Sequence, residues 1–210
     1  MNGQRNTEIG NSQGEDCYNG IENNVLKTAR SNDKDVSGMG ENTAQTNPFI
    51  IGSLMREEAE QLCTWLYDPP YDVYNLPAWE TVCANGWELS NDAARKREYR
   101  AVRKHGELFA FGRIFRLGSY VLIGIGLKPE DCGQGSGRMV LEILLKEARE
   151  MYPGIPLALE VRTFNERAIQ CYRKAGFEIT KKYRRGTLDG EDDFYLMEES
   201  SQRFHTNESK

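Results

Sequence analysis

Large apolar residues are sparse and aperiodic over residues 1–46 and become regularly spaced from Phe49 onward. Phe49 to Ile51 is a short apolar run that reads as a first strand. Met55, Ala59, Leu62, Cys63 and Leu66 share one face at helical spacing, which predicts a helix over Met55 to Leu66. Thr81 to Gly86 reads as a further short helix, and the charged run Asp92 to Arg97 as a solvated turn or helix end. Tyr99 to Lys104 and Glu107 to Arg116 are strands meeting at His105-Gly106, a hairpin. Tyr120 to Leu127 is apolar and short enough for a buried strand. Beyond it Val140, Ile143, Leu144, Ala148 and Met151 recur as one stripe of an amphipathic helix. Leu157, Leu159 and Val161 alternate in a strand over Pro156 to Val161. Asn165 to Ala175 is a helix with Asn165 as N-cap and Gly176 where a left-handed residue ends it. Phe177 to Arg184 and Asp193 to Glu198 close the chain as strands around the turn Leu188-Asp189-Gly190. The order β-α-α-β-β-β-α-β-α-β-β predicts a mixed α/β sheet flanked by helices.

Composition sharpens the boundaries. Residues 1–46 are rich in Asn, Gly, Ser, Asp and Glu, too polar to offset ordering entropy, and are expected to be disordered, with at most a transient helix at Ile21 to Ala29. The folded domain is expected over residues 47–199, and residues 200–210 as a frayed tail. Between Trp65 and Trp79 lies a segment dense in Trp, Tyr and Pro, which reads either as a rigid wall of a ligand pocket or as a loop packed over the core. The net charge of -5 gives no basic footprint for nucleic acid. Five scattered cysteines without a CxxC pair argue against a disulfide framework or a zinc ribbon and for a reducing compartment. With His105 and His205 as the only histidines, a His-based metal site or a Ser-His-Asp triad has almost nothing to be built from. No apolar run approaches membrane length, so no membrane partner and a cytoplasmic location are expected.

Chemistry concentrates at one turn. Between the strand Tyr120 to Leu127 and the helix after it stand Gly133, Gly135 and Gly137, in the order strand, glycine turn, helix. Such a turn aims unpaired backbone N–H groups and the positive end of a helix dipole at an anion, and glycine lets a phosphate reach the backbone. An ordinary βα turn carries the same glycines. A P-loop would need Lys-Ser or Lys-Thr after Gly137, where Arg138-Met139 stands. A dinucleotide fingerprint starting at Gly133 would need Gly or Ala at Arg138.

Gly133-Gln134-Gly135-Ser136-Gly137-Arg138 resembles the Q/R-x-x-G-x-G/A loop of the GCN5-related N-acetyltransferases (GNAT). A second run, Leu159-Glu160-Val161-Arg162 followed by Asn165, Ala168, Tyr172 and Gly176-Phe177, is similar to that family's N-x-x-A-x-x-x-Y-x-x-x-G-F segment. The resemblance spans about Phe49 to Glu199 and implies the GNAT acyl-CoA N-acyltransferase fold, with a central splayed mixed β-sheet flanked by helices. It implies acetyl-CoA as donor, its pyrophosphate on the N–H groups of Gln134, Gly135, Ser136, Gly137, Arg138 and Met139. The pantetheine would lie in an opening at a strand bulge near Gly126, Leu127 and Lys128, bonded also by Asn165. The chemistry implied is direct attack of a primary amine, from a small molecule or a protein N-terminus, on the thioester. Leu127 N–H would meet the developing oxyanion and Tyr172 would act as acid toward the thiolate. Glu160, expected to point away from Leu159 and Val161, is the candidate base, with a water chain as the alternative base and a hydrogen bond to a neighbouring strand as the alternative role of the carboxylate. The same residues would also serve an acetyl-CoA-binding module without turnover. Asp68, Asp72, Glu80, Asp192 and Asp193 are candidate attractants for a cationic amine. Cys132 stands where the loop usually carries Arg or Gln, which removes a long polar side chain beside the phosphates. The C-terminal strands are the candidate surface for a homodimer.

Overall fold

A computed structural model describes residues 48–187 and 190–200. The expectations for residues 1–46, for Leu188 and Asp189, and for the tail beyond Ser200 lie outside the described residues. Strands β1 (Phe49–Ser53), β2 (Tyr99–Lys104), β3 (Glu107–Leu117), β4 (Tyr120–Leu127), β5 (Leu157–Arg162), β6 (Phe177–Thr187) and β7 (Gly190–Glu199) form one seven-stranded sheet in the order β1-β2-β3-β4-β5-β7-β6. All neighbours are antiparallel except β4 and β5, which run parallel through the crossover helix between them.

The helices are α1 (Arg56–Leu62), α2 (Trp79–Ala84), α3 (Asp92–Glu98), α4 (Ser136–Met151) and α5 (Glu166–Lys174). Alternation along the strands supplies two cores, one on each face. Val102, Ile123, Leu159 and Val161 pack with Leu144, Ile169 and Tyr172 of α4 and α5. Ala101 and Tyr99, next to Val102 on β2, turn the other way and join Leu54, Leu62, Trp65 and Val82.

Two expectations are corrected at the N-terminal half. Helix α1 stops at Leu62 rather than Leu66, because the Thr64 hydroxyl and N–H both bond back to Gln61 O, at 2.7 and 2.9 Å. Trp65 can then enter the second core while Leu66 is left exposed. Asp92 to Arg97, read as a solvated turn or helix end, lies within a full helix started by the Asn91 side chain accepting from Ala94 N. Its Arg95 is buried, donating to Leu89 O and to Asp92.

Candidate active site

The sheet opens between its two parallel strands. Val121, Leu122 and Ile123 pair with Leu157, Ala158 and Leu159, and pairing ends there. Strand β4 stays on β3 all the way to Leu127, in unbroken register. The opening therefore comes from β5 diverging after Leu159, not from the bulge expected near Gly126, Leu127 and Lys128. Lys128 N–H donates to Phe109 O at 3.0 Å. Alternation then turns the N–H and C=O of Leu127 away from β3 and toward the gap. Lys128 has its own N–H committed to β3 and does not line the cavity. Gly126 is required by its neighbour, since a Cβ there would lie 2.1 Å from Phe111 Cε1.

A cavity of about 820 Å³ runs through this gap, a size suited to a cofactor or large ligand. At one end the chain leaves β4 through a single 3-10 turn, Pro129–Asp131, and enters α4 at Gly135. Gly133 and Gly135 have φ of 78° and 83°, the left-handed region that favours glycine. Gly135 is the N-cap and has no side chain to bond the first helical N–H groups. A Cβ at either glycine would meet open space, which leaves room for a ligand to reach the backbone. The α4 start thus fits an anionic group. Gln134 turns its amide back onto Glu130 O at 2.7 Å, and Gln134, Ser136 and Met139 do not line the cavity, whereas Gly135, Gly137 and Arg138 do. The Cys132 thiol points at the carbonyl oxygens of Leu127 and Lys128, and burial pushes its pKa up.

Helix α5 forms the next wall. Asn165 caps it, accepting from Ala168 N at 3.2 Å, and donates through Nδ2 to the Tyr74 hydroxyl at 3.0 Å. Tyr172 is 8% exposed and lines the cavity. Its hydroxyl makes no hydrogen bond to another described residue, and burial pushes its pKa well above the ordinary tyrosine value. The Trp65 to Trp79 segment does both things open to it. Trp65 and Trp79 pack into the second core, while Tyr67, Tyr71 and Tyr74 line the cavity. Tyr67 donates to Leu127 O at 2.7 Å, tying this segment to the end of β4.

At the far end, Glu160 points to the face opposite Leu159 and Val161, as alternation requires. Its carboxylate is hydrogen-bonded: Tyr183 donates to Oε2 and Arg185 to Oε1. Arg185 also lies over the Phe194 ring, 4.1 Å from its centroid. Among the described residues Glu160 is the one carboxylate that lines the cavity. Asp192 is paired with Arg162, and Lys182 and Arg184 hold the Asp193 carboxyl below its ordinary range. Asp68, Asp72 and Glu80, candidate attractants for a cationic amine, lie outside the lining. Sequence reading missed Tyr67, Tyr74, Tyr183 and Arg185 as individual residues. The period of two in β6 already set Tyr183 and Arg185 on one face, but only the strand order β5-β7-β6 brings that face to Glu160.

The gap, the uncapped α4 start and the buried tyrosine hydroxyl occupy one continuous cavity, and comparison with known proteins agrees with this arrangement. The chain is 35% identical over 164 residues to the N-alpha-acetyltransferase RimI of Mycobacterium tuberculosis, covering 76% of this chain and 97% of that one. The ribosomal-protein-S18-alanine N-acetyltransferase of Escherichia coli superposes with a TM-score of 0.52 at 24% identity, over 72% of this chain and 92% of that one. YncA of Salmonella typhimurium, solved with its cofactor acetyl-CoA, superposes with a TM-score of 0.53 at 19% identity, over 72% and 93% of the two chains. Residues 59–177 match the model of the Acetyltransferase (GNAT) family, and the chain is a member of that family, an N-acetyltransferase.

Proposed function

We propose that the enzyme transfers the acetyl group of acetyl-CoA to the α-amine of a polypeptide N-terminus. The observation that carries the choice of acceptor is the lining of the cavity beyond the gap. It presents one carboxylate, Glu160, among the guanidinium groups of Arg162 and Arg185 and the rings of Tyr74 and Phe194. A polyamine would need several carboxylates, and the wall presents one, already engaged by Arg185, beside an Arg162 that is paired with Asp192. A peptide brings a single charge at its first residue and neutral amides behind it. The similarity to an N-alpha-acetyltransferase supports the same reading.

Acetyl-CoA supplies an activated acyl group as a thioester. On the protein side, the backbone N–H groups of Gly135, Gly137 and Arg138 at the α4 start receive the pyrophosphate, and Asn165 lies beside the pantetheine arm. Leu127 N–H, turned into the gap, is the donor for the thioester oxygen as it gains charge. Glu160 takes a proton from the substrate ammonium, which leaves the neutral amine to attack, with Tyr183 and Arg185 holding its carboxylate in place. Tyr172, kept neutral by burial, gives its proton to the departing thiolate.

Initial rates with acetyl-CoA test the acceptor on three substrates: a peptide with a free N-terminus and an internal lysine, the same peptide N-formylated, and spermidine. Turnover is expected on the first alone. Equal rates on the formylated peptide or on spermidine would refute the α-amine assignment.

A further inference from the structure

The glycine loop itself, Cys132 to Gly137, carries no cationic side chain. Cys132 occupies its outer wall with a neutral thiol turned back onto backbone carbonyls. Arg138, in the first turn of α4, is paired with Glu142 at 2.9 Å. A coenzyme pyrophosphate carries two negative charges, and backbone N–H groups alone bind it less tightly than N–H groups with a guanidinium.

Helix α5 reaches the same place. A Cβ at Gly137 would lie 3.8 Å from Cys171 Sγ, so the first turn of α4 rests against this face of α5. Arg167 stands four residues before Cys171, one turn along the same face. Arg167 lines the cavity together with Cys132, Gly133 and Gly135. No carboxylate among the described residues pairs with its guanidinium, which instead lies 3.7 Å over the Tyr71 ring centroid. A ring holds a guanidinium in place without neutralising it. The thiol of Cys132 feels the positive charge of Arg167, which places the two side chains within electrostatic reach.

We infer that Arg167 supplies, from the neighbouring helix, the side-chain cation for the coenzyme pyrophosphate that the glycine loop lacks at Cys132. This assignment rests on acetyl-CoA as the donor, and not on the identity of the acceptor. Arg167 is a binding residue; the ring of Tyr71 positions it.

Direct titration of the full chain with coenzyme A and with dephospho-coenzyme A tests this without any acceptor. Arg167→Ala is expected to weaken both ligands by about tenfold, the worth of one charge-assisted contact to phosphate. Arg167→Lys is expected to retain part of that affinity. Adding Cys132→Arg to Arg167→Ala, which returns a guanidinium to the loop, is expected to recover affinity. The inference is overturned if Arg167→Ala binds coenzyme A as wild type does. It is also overturned if the loss disappears with dephospho-coenzyme A, which would move the contact to the 3′-phosphate, or if Cys132→Arg restores nothing. Failure of wild type to bind coenzyme A would instead remove the donor assignment itself, and with it the premise.

Discussion

Tyr172 combines two properties that rarely coincide in one hydroxyl: burial in the main core and an edge open to the cavity. Ile169 of the same helix and Ala175 at its C-cap are core residues, so replacing Tyr172 by Phe keeps the packing and removes one oxygen. Tyr172→Phe is therefore expected to leave Tm within a few degrees of wild type and to lower kcat by about 100-fold, the usual contribution of a positioned acid. Steady-state rates and a thermal melt check both halves; an unchanged kcat would remove the acid assignment. The raised pKa also has a stability consequence. A neutral phenol is favoured by burial, so the stabilisation is complete below the ordinary tyrosine value near 10 and is lost as pH rises above it. Melts between pH 9 and about 11 should accordingly fall more steeply for wild type than for Tyr172→Phe. Residues of this kind were readable from sequence because their signals are local. Asn165 and Gly176 mark the ends of one helix, and Tyr172 lies within it. The partners of Glu160 were not readable, because Tyr183 and Arg185 reach it across an intervening strand.

Between elements, the decisive event is the parting of β4 and β5 after Ile123 and Leu159. Nothing local in Tyr120 to Leu127 announces where a parallel neighbour will diverge, which is why a bulge was expected there and none is present. The close approach that shapes the gap is visible only in three dimensions. At Gly126 an added methyl would overlap the Phe111 ring, which is rigid and itself packed against Trp65. Gly126→Ala is expected to destabilise by about 1–3 kcal/mol through overpacking and to weaken coenzyme A binding by displacing Leu127. Combining it with Phe111→Leu, which frees the space, should return part of both losses. Urea denaturation and coenzyme titration of the single and double variants measure this; a fully stable Gly126→Ala would show that the ring moves aside. The helix ends repeat the lesson on a smaller scale. The apolar stripe of α1 continues to Leu66, but a Thr64 hydroxyl bond closes the helix a turn earlier.

Across the molecule, the sheet consists of two blocks, β1 to β4 and β5-β7-β6, joined through only three strand pairs, Val121 to Leu157, Leu122 to Ala158 and Ile123 to Leu159. The aromatic segment adds a second link at the open end, since Tyr67 holds Leu127 on one block and Tyr74 holds Asn165 on the other. A donor lying in the gap would contact both blocks where they are least joined, so its binding energy should appear as resistance to unfolding of the whole domain. Coenzyme A at about 100 times its Kd stabilises the native state by about 2.7 kcal/mol, which for a chain of this size corresponds to a Tm increase of about 5–10 °C. A single sharpened transition is expected rather than a shift confined to one of two steps. Gly135→Asn provides the control. A Cβ there meets nothing within 4 Å, and Asn is among the side chains least penalised at positive φ, so the strain should lower Tm by only a few degrees without ligand. Its side chain would fill the space over the α4 start, and the Tm increase with coenzyme A should disappear. A Gly135→Asn variant that still gains the full increase would show that the coenzyme is held elsewhere than at the start of α4.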